Sequence, residues 1–185
     1  TGQTALVDAP AAEPIVAALD ERGWGLDQIW ITHHHADHTE AVDALRERYG
    51  AEGLFRCTVY PGISQMLAVL RSRRMTLMVA TSKPTTYARR ILDHQDLSKY
   101  FAAVYGSELD GTRAGKTDLV AHLLRNESIE DAVMVGDRAQ DIAAARAHGL
   151  RSIGALWGYG SREELMAAGA AALCERPGDL PSLVA

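Results

Sequence analysis

Gly136-Asp137-Arg138-Ala139-Gln140-Asp141, directly after the apolar run Ala132-Val133-Met134-Val135, places two carboxylates where a strand feeds a helix. In parallel α/β sheets the carboxyl ends of strands are where ligands gather. A strand-end aspartate and a second one in the first helical turn can share one hard cation, and Mg2+ favours such oxygen ligands. An aspartate at a helix start is also an ordinary cap, so the reading depends on what surrounds the pair.

Outward from this stretch the chain alternates. Apolar runs at Thr4–Asp8, Ile29–Thr32, Thr76–Ala80, Ala103–Tyr105, Ala132–Val135 and Ser152–Leu156 predict strands. Helical periodicity covers Pro14–Arg22, Ala41–Tyr49, Pro61–Arg73, Thr86–Asp93, Lys116–Arg125, Gln140–His148 and Arg162–Ala168. Gly23 and Gly50 stop the first two of these, Thr81-Ser82-Lys83-Pro84 reads as a polar turn, and Ser161 with Glu164 reads as a capping box. This alternation predicts an α/β fold: a doubly wound, mostly parallel sheet in a three-layer Rossmann-type arrangement, with an N-terminal βαβα extension.

At 185 residues and 47% apolar content the chain can bury one substantial core plus an appendage. A net charge of -5 with scattered Lys and Arg argues against nucleic acid and for small-molecule partners. No apolar run approaches the roughly 20 residues that span a bilayer. Cys57 and Cys174 stand in unrelated contexts, which predicts a reducing, cytoplasmic setting. The start Thr1-Gly2-Gln3 carries no secretory leader and predicts a beginning partway through an ancestral domain. Nothing in the pattern sets the oligomeric state.

Several strand ends carry further chemistry. Thr81 and Ser82 offer hydroxyl and backbone N–H groups to a phosphate oxygen, and Lys116 stands at a helix start, where an anionic partner would relieve its conflict with the helix dipole. Together with Tyr60-Pro61-Gly62-Ile63, Ala80-Thr81-Ser82-Lys83-Pro84, the run from Tyr105 to Arg113, Val135-Gly136-Asp137-Arg138 and Trp157-Gly158-Tyr159-Gly160, these residues resemble the haloacid dehalogenase-superfamily phosphatases over about 46–185. The branch they resemble most is the phosphoglycolate phosphatase and 5'-nucleotidase-like one. The resemblance implies that Thr81 and Ser82 bind the transferring phosphoryl group of a small phosphorylated metabolite, that Lys116 neutralises it, and that Asp137 and Asp141 hold Mg2+. Such enzymes open with a strand ending in Asp-x-Asp-Gly-Thr, whose first Asp is the nucleophile and second the general acid and base. No such segment precedes Thr81, and Asp110-Gly111-Thr112 resembles only its tail. Most of the family's helical cap is also absent from the pattern. Asp8, at the end of the first strand, is the candidate replacement nucleophile.

The rival motif is Thr32-His33-His34-His35-Ala36-Asp37-His38. Imidazole and carboxylate groups at this density suit zinc or iron. With the preceding Ala5-Leu6-Val7-Asp8, the loop resembles the metallo-β-lactamase superfamily, glyoxalase II (hydroxyacylglutathione hydrolase) in particular, over 1–45. The resemblance implies His33 and His35 on one metal, Asp37 and His38 on a second, and Zn2+ as the ion this cluster could hold. Such a site needs two more histidines and a bridging aspartate from distant strands, whereas His94, His122 and His148 all fall in or near helices. Three readings follow: a Mg2+-dependent phosphomonoester hydrolase, a zinc-dependent thioester hydrolase, and a recombined product without turnover.

Overall fold

The computed structural model describes residues 4–26, 28–32, 35–51, 53–109 and 112–184. They fall into two compact units, Thr1–Thr58 and Val59–Ala185.

In unit 1, β1 (Ala5–Val7) pairs in parallel with β2 (Gln28–Trp30), Leu6 facing Ile29. Between them α1 (Ala12–Arg22) ends where Gly23 takes φ 63°, a left-handed value open to a residue without Cβ. The helix expected at Ala41–Tyr49 is α3 (Val42–Ala51), and a short helix not expected from the sequence, α2 (Ala36–Thr39), precedes it. Here the backbone turns aside to meet the chain after β1: Ala9 N–H donates to His38 O at 2.7 Å and Ala41 N–H to Ala9 O at 2.9 Å. Ala9, Ala41 and Leu45 are the buried centre, covered by Leu6, Ile15, Val16 and Ile29. The compact unit runs beyond the resemblance boundary near Leu45, because a 3-10 turn at Gly53–Phe55 folds back on α3 and buries Leu54.

Unit 2 comprises α4 (Ile63–Ser72), β3 (Met78–Pro84), α5 (Thr85–His94), β4 (Ala103–Ser107), α6 (Lys116–Glu127), β5 (Val133–Gly136), α7 (Ala139–Ala147), β6 (Arg151–Ala155), α8 (Arg162–Ala167), β7 (Ala172–Cys174) and α9 (Leu180–Leu183). Every strand pairing is parallel: β3 with β4, and β5–β6–β7 in order. The alternation read from the sequence is therefore the architecture seen. Two local readings change. Thr81 to Pro84 is not a free turn but the end of β3, which resumes pairing after a bulge with Pro84 opposite Ser107. β7 is a strand the pattern does not predict: past the helix expected at Arg162–Ala168, Gly169 at φ 94° ends α8 and the chain pairs with β6. One apolar cluster gathers Met66, Leu67 and Leu70 of α4 with Leu97, Ile153, Cys174 and Leu180. Among the described residues no helix is long and apolar enough to cross a membrane.

Candidate active site

Asp137 and Asp141 emerge from β5 and the first turn of α7, as the strand-to-helix pattern predicts. Asp141 turns back over the strand end: its Oδ2 accepts the Arg138 N–H at 3.2 Å. A Cβ at Gly136 would run into the Asp141 side chain, and one at Gly158 into that of Asp137. Glycine at both positions is thus a condition for the carboxylates to sit where they do. Asp137 Oδ2 accepts the Tyr159 N–H at 2.8 Å, which ties the loop after β6 to the end of β5.

Lys116 closes the arrangement from α6. Its Nζ lies 2.9 Å from Asp141 Oδ1 and donates to the carbonyl of Ala80, in β3, at 3.0 Å. Both side chains are shielded, with 10% of Lys116 and 8% of Asp141 exposed. A buried cation and anion are tolerated only when paired and hydrogen-bonded, so each fixes the other. At the next residue, the Thr81 Oγ1 accepts the Lys83 N–H at 3.2 Å, a bond that does not use the hydroxyl hydrogen. The Ser82 carbonyl accepts the Ser107 hydroxyl at 3.0 Å, joining the ends of β3 and β4. Lys116, Asp141 and Ala80 of β3 are thus brought together, and Asp137 follows the end of β5.

Glu164 is a site-supporting residue that the sequence reading missed. Ser161 caps α8 by accepting the Glu164 N–H at 3.1 Å, as its spacing predicts, and the Glu164 carboxylate also serves α7. It accepts the Ala139 N–H at 2.8 Å and the Arg138 Nε–H at 3.0 Å. These bonds, that from Ala139 first, hold its carboxyl below the usual carboxylate range. No local spacing signals this role, because both bonds reach from α8 to the start of α7. His148 has its Nε2 2.9 Å from the Thr117 carbonyl, and Trp157 packs against the apolar cluster.

In unit 1 the rival motif is arranged otherwise. His33 and His34 lie outside the described residues. His38 Nδ1 faces Asp8 Oδ2 at 2.7 Å, and its Nε2 faces Asp37 at 3.5 Å. The Asp8 carboxylate also accepts the Thr32 N–H and hydroxyl, both at 2.8 Å. The Thr32 N–H is the main cause, with His38 adding to it, that draws the Asp8 carboxyl down to about 2. Asp8 sits at φ 58°, a left-handed conformation that a short polar side chain tolerates. His35 precedes α2 as its cap residue and Asp37 is largely exposed. Among the described residues no three His, Cys, Asp or Glu side chains converge as a metal site.

A sequence model of the haloacid dehalogenase-like hydrolases matches residues 10–155. The chain belongs to this family. A 5'-nucleotidase of Pseudomonas aeruginosa is 45% identical over 130 residues, which are 69% of this chain and 59% of that protein. The structure of a candidate phosphatase from Clostridium difficile superposes with a TM-score of 0.76 at 35% identity, covering 83% of this chain and 73% of its own. A hydroxyacylglutathione hydrolase of Ruegeria pomeroyi is 65% identical over 48 residues, 26% of this chain and 19% of that enzyme. The chain therefore spans less than two thirds of the length of either curated relative.

Membership in the haloacid dehalogenase-like hydrolases implies Mg2+, and the donor set at the end of β5 fits it. Mg2+ keeps several waters and is held by one or two carboxylates rather than a full protein cage. Asp137 and Asp141 supply two hard oxygen donors, and the glycines beside them leave the carboxylates room. Lys116 already compensates one of these charges, so an added cation and a phosphate would share a partly neutralised site.

Proposed function

We propose that this chain binds small phosphorylated metabolites with Mg2+ and hydrolyses their monoesters in the haloacid dehalogenase manner. The observation that carries the reading is Lys116, buried and pinned between the Ala80 carbonyl and Asp141. A fixed cation bonded to the Ala80 carbonyl, the residue before Thr81, and paired with the Asp141 carboxylate suits a dianionic ester. In this reading Thr81 and Ser82 orient the phosphate, Lys116 neutralises it, and Asp137 and Asp141 hold Mg2+. The bound cation would offset charge on the transferring group. The relative named as a 5'-nucleotidase and the sequence resemblance favour a phosphoglycolate- or nucleotide-class substrate. The free thiols of Cys57 and Cys174 suit a reducing, cytoplasmic setting.

Positioning and charge neutralisation bind a phosphate, whereas a covalent step needs a carboxylate in near contact with phosphorus. Asp8 is the residue offered for that role, and its carboxylate is engaged by Thr32 and His38. Turnover is accordingly expected to be slow. The test is a paired assay of an aryl phosphate with Mg2+ against a glutathione thioester with Zn2+, each repeated with Asp137→Asn and His35→Ala. Phosphate release that Asp137→Asn lowers by about 100-fold or more, and His35→Ala leaves alone, is the expected result. Thioester cleavage lost in His35→Ala would replace this reading with the zinc one, and no turnover from folded protein would favour the non-catalytic one.

A further inference from the structure

The loop after β6 packs on Asp137 and presents one side chain outward. The Tyr159 N–H donates to Asp137 Oδ2 at 2.8 Å. A Cβ at Gly158 would run into the Asp137 side chain, and one at Gly160 into the Asp137 carbonyl. Of the three residues packed on this aspartate, Tyr159 alone therefore carries a side chain. Trp157, two residues earlier, turns into the apolar cluster. Tyr159 does the opposite: at 77% it is the most exposed of the large apolar residues among those described. Because its own N–H meets the carboxylate, its ring stays near the end of β5 in every rotamer.

The cations at this end of the sheet are already matched. Lys116 Nζ stands 2.9 Å from Asp141 Oδ1, and Arg138 Nε 3.0 Å from Glu164 Oε1. Lys83, at the end of β3, is not free either. With those pairs neutral in themselves, a Mg2+ set against Asp137 leaves less positive charge than a phosphate dianion brings negative. A further anion on the leaving group, such as a carboxylate or a second phosphate, finds no cation in reserve. An unpaired charge is costly to bring into a shielded site. The group that leaves is therefore best uncharged, and the surface offered beside Asp137 is an aromatic face.

We infer that Tyr159 is a specificity-determining residue whose ring stacks on a flat, uncharged aromatic group of the phosphate ester. The inference rests on the phosphate site proposed above and chooses within it: esters that carry a nucleobase or an aryl ring over esters that carry a carboxylate. Aromatic pairs settle in offset or edge-to-face contact, and a ring left in water at the rim of a site gains by such a partner. Stacking a base on an exposed aromatic side chain raises affinity by about tenfold or more. Replacing the ring leaves the residue 159 N–H in place to hold Asp137, so the ring and the metal ligand can be tested apart.

The test is titration calorimetry of the intact chain with Mg2+ and six probes: inorganic phosphate, ribose 5-phosphate, adenosine 5'-phosphate, ethyl phosphate, phenyl phosphate and 2-phosphoglycolate. Two comparisons isolate the flat group, adenosine 5'-phosphate against ribose 5-phosphate for a base beyond a sugar and phenyl against ethyl phosphate for a ring on the ester oxygen. A preference of about tenfold in at least one of them is expected, with 2-phosphoglycolate no tighter than inorganic phosphate. The preference should vanish in Tyr159→Ala and return in Tyr159→Phe. Proton NMR should show the ring protons of the preferred ester shifted upfield by the unmodified chain and by Tyr159→Phe, and unshifted by Tyr159→Ala. No preference in either comparison, a preference kept in Tyr159→Ala, one lost equally in Tyr159→Phe, or 2-phosphoglycolate as the tightest ligand would overturn the inference while leaving the phosphate site standing. Failure of inorganic phosphate itself to bind would strike the phosphate site, and the inference with it.

Discussion

Unit 1 and unit 2 are built from the same strand–helix alternation, but they treat their polar groups differently. In unit 2, Lys116 and Asp141 are at most a tenth exposed and each has its partner. In unit 1, His38 and Asp8 are 27% and 17% exposed, the strands are three residues long, and Val7, Trp24 and Trp30 lie more than half in solvent. Its buried centre is two alanines and one leucine, against seven larger residues in the unit 2 cluster. The difference teaches where a working site can stand. Charges held inside a packed frame keep a geometry that can be aimed at a substrate, while exposed groups on short strands can re-pair with one another or with water.

The largest break in this comparison is expected from Lys116→Met. It leaves Asp141 buried without its cation, which costs about 3 kcal/mol or more in urea unfolding of unit 2. The equivalent change in unit 1, His38→Ala, is expected to leave the unfolding of unit 2 unmoved. Next comes Ile142→Ala: this side chain is fully buried in α7, and its truncation is expected to cost about 2–4 kcal/mol in the same measurement. Ser161→Ala removes an exposed cap of α8 and is expected to cost about 1 kcal/mol. It also loosens the anchor that Glu164 provides to Ala139, read as faster exchange at the α7 N-terminus.

The smallest effect belongs to unit 1 and to acid. The Asp8 carboxyl titrates at about 2 in the fold against a usual value near 3.8. A lowered carboxylate contributes stability that is complete above the unfolded value and is lost as pH falls through the folded one. Unit 1 is therefore expected to loosen between about pH 4 and pH 2, seen as faster amide exchange in β1 and β2. Asp8→Asn should remove that pH dependence. If the variant loosens over the same window, the Thr32 and His38 contacts to Asp8 are not what holds the loop.

The sequence made the site's carboxylates legible because a buried strand and an amphipathic helix have different periods, and Asp137 falls where one period gives way to the other. Lys116 was legible as a residue out of place at a helix start, and its two partners explain the placement. Glu164 was legible only as the partner of Ser161, because its bonds from the Ala139 N–H and the Arg138 Nε–H are nonlocal. β7 was hidden because alanine favours helix intrinsically, and pairing with β6 overrides that preference. The split of the sheet was legible only through the resemblance, which calls for an opening strand that no segment before Thr81 supplies. Nothing within Met78–Ala80 or Val133–Val135 marks an edge, since a strand shielded by helices reads as apolar whether or not both its edges are paired.

Metal preference separates the two units most directly. Titration calorimetry of Mg2+ into the intact chain, alone and with inorganic phosphate, is expected to show one weak site that phosphate tightens. Asp137→Asn should abolish the heat and His38→Ala should leave it unchanged. Binding that survives Asp137→Asn, or disappears with His38→Ala, would contradict the assignment of the site to the end of β5.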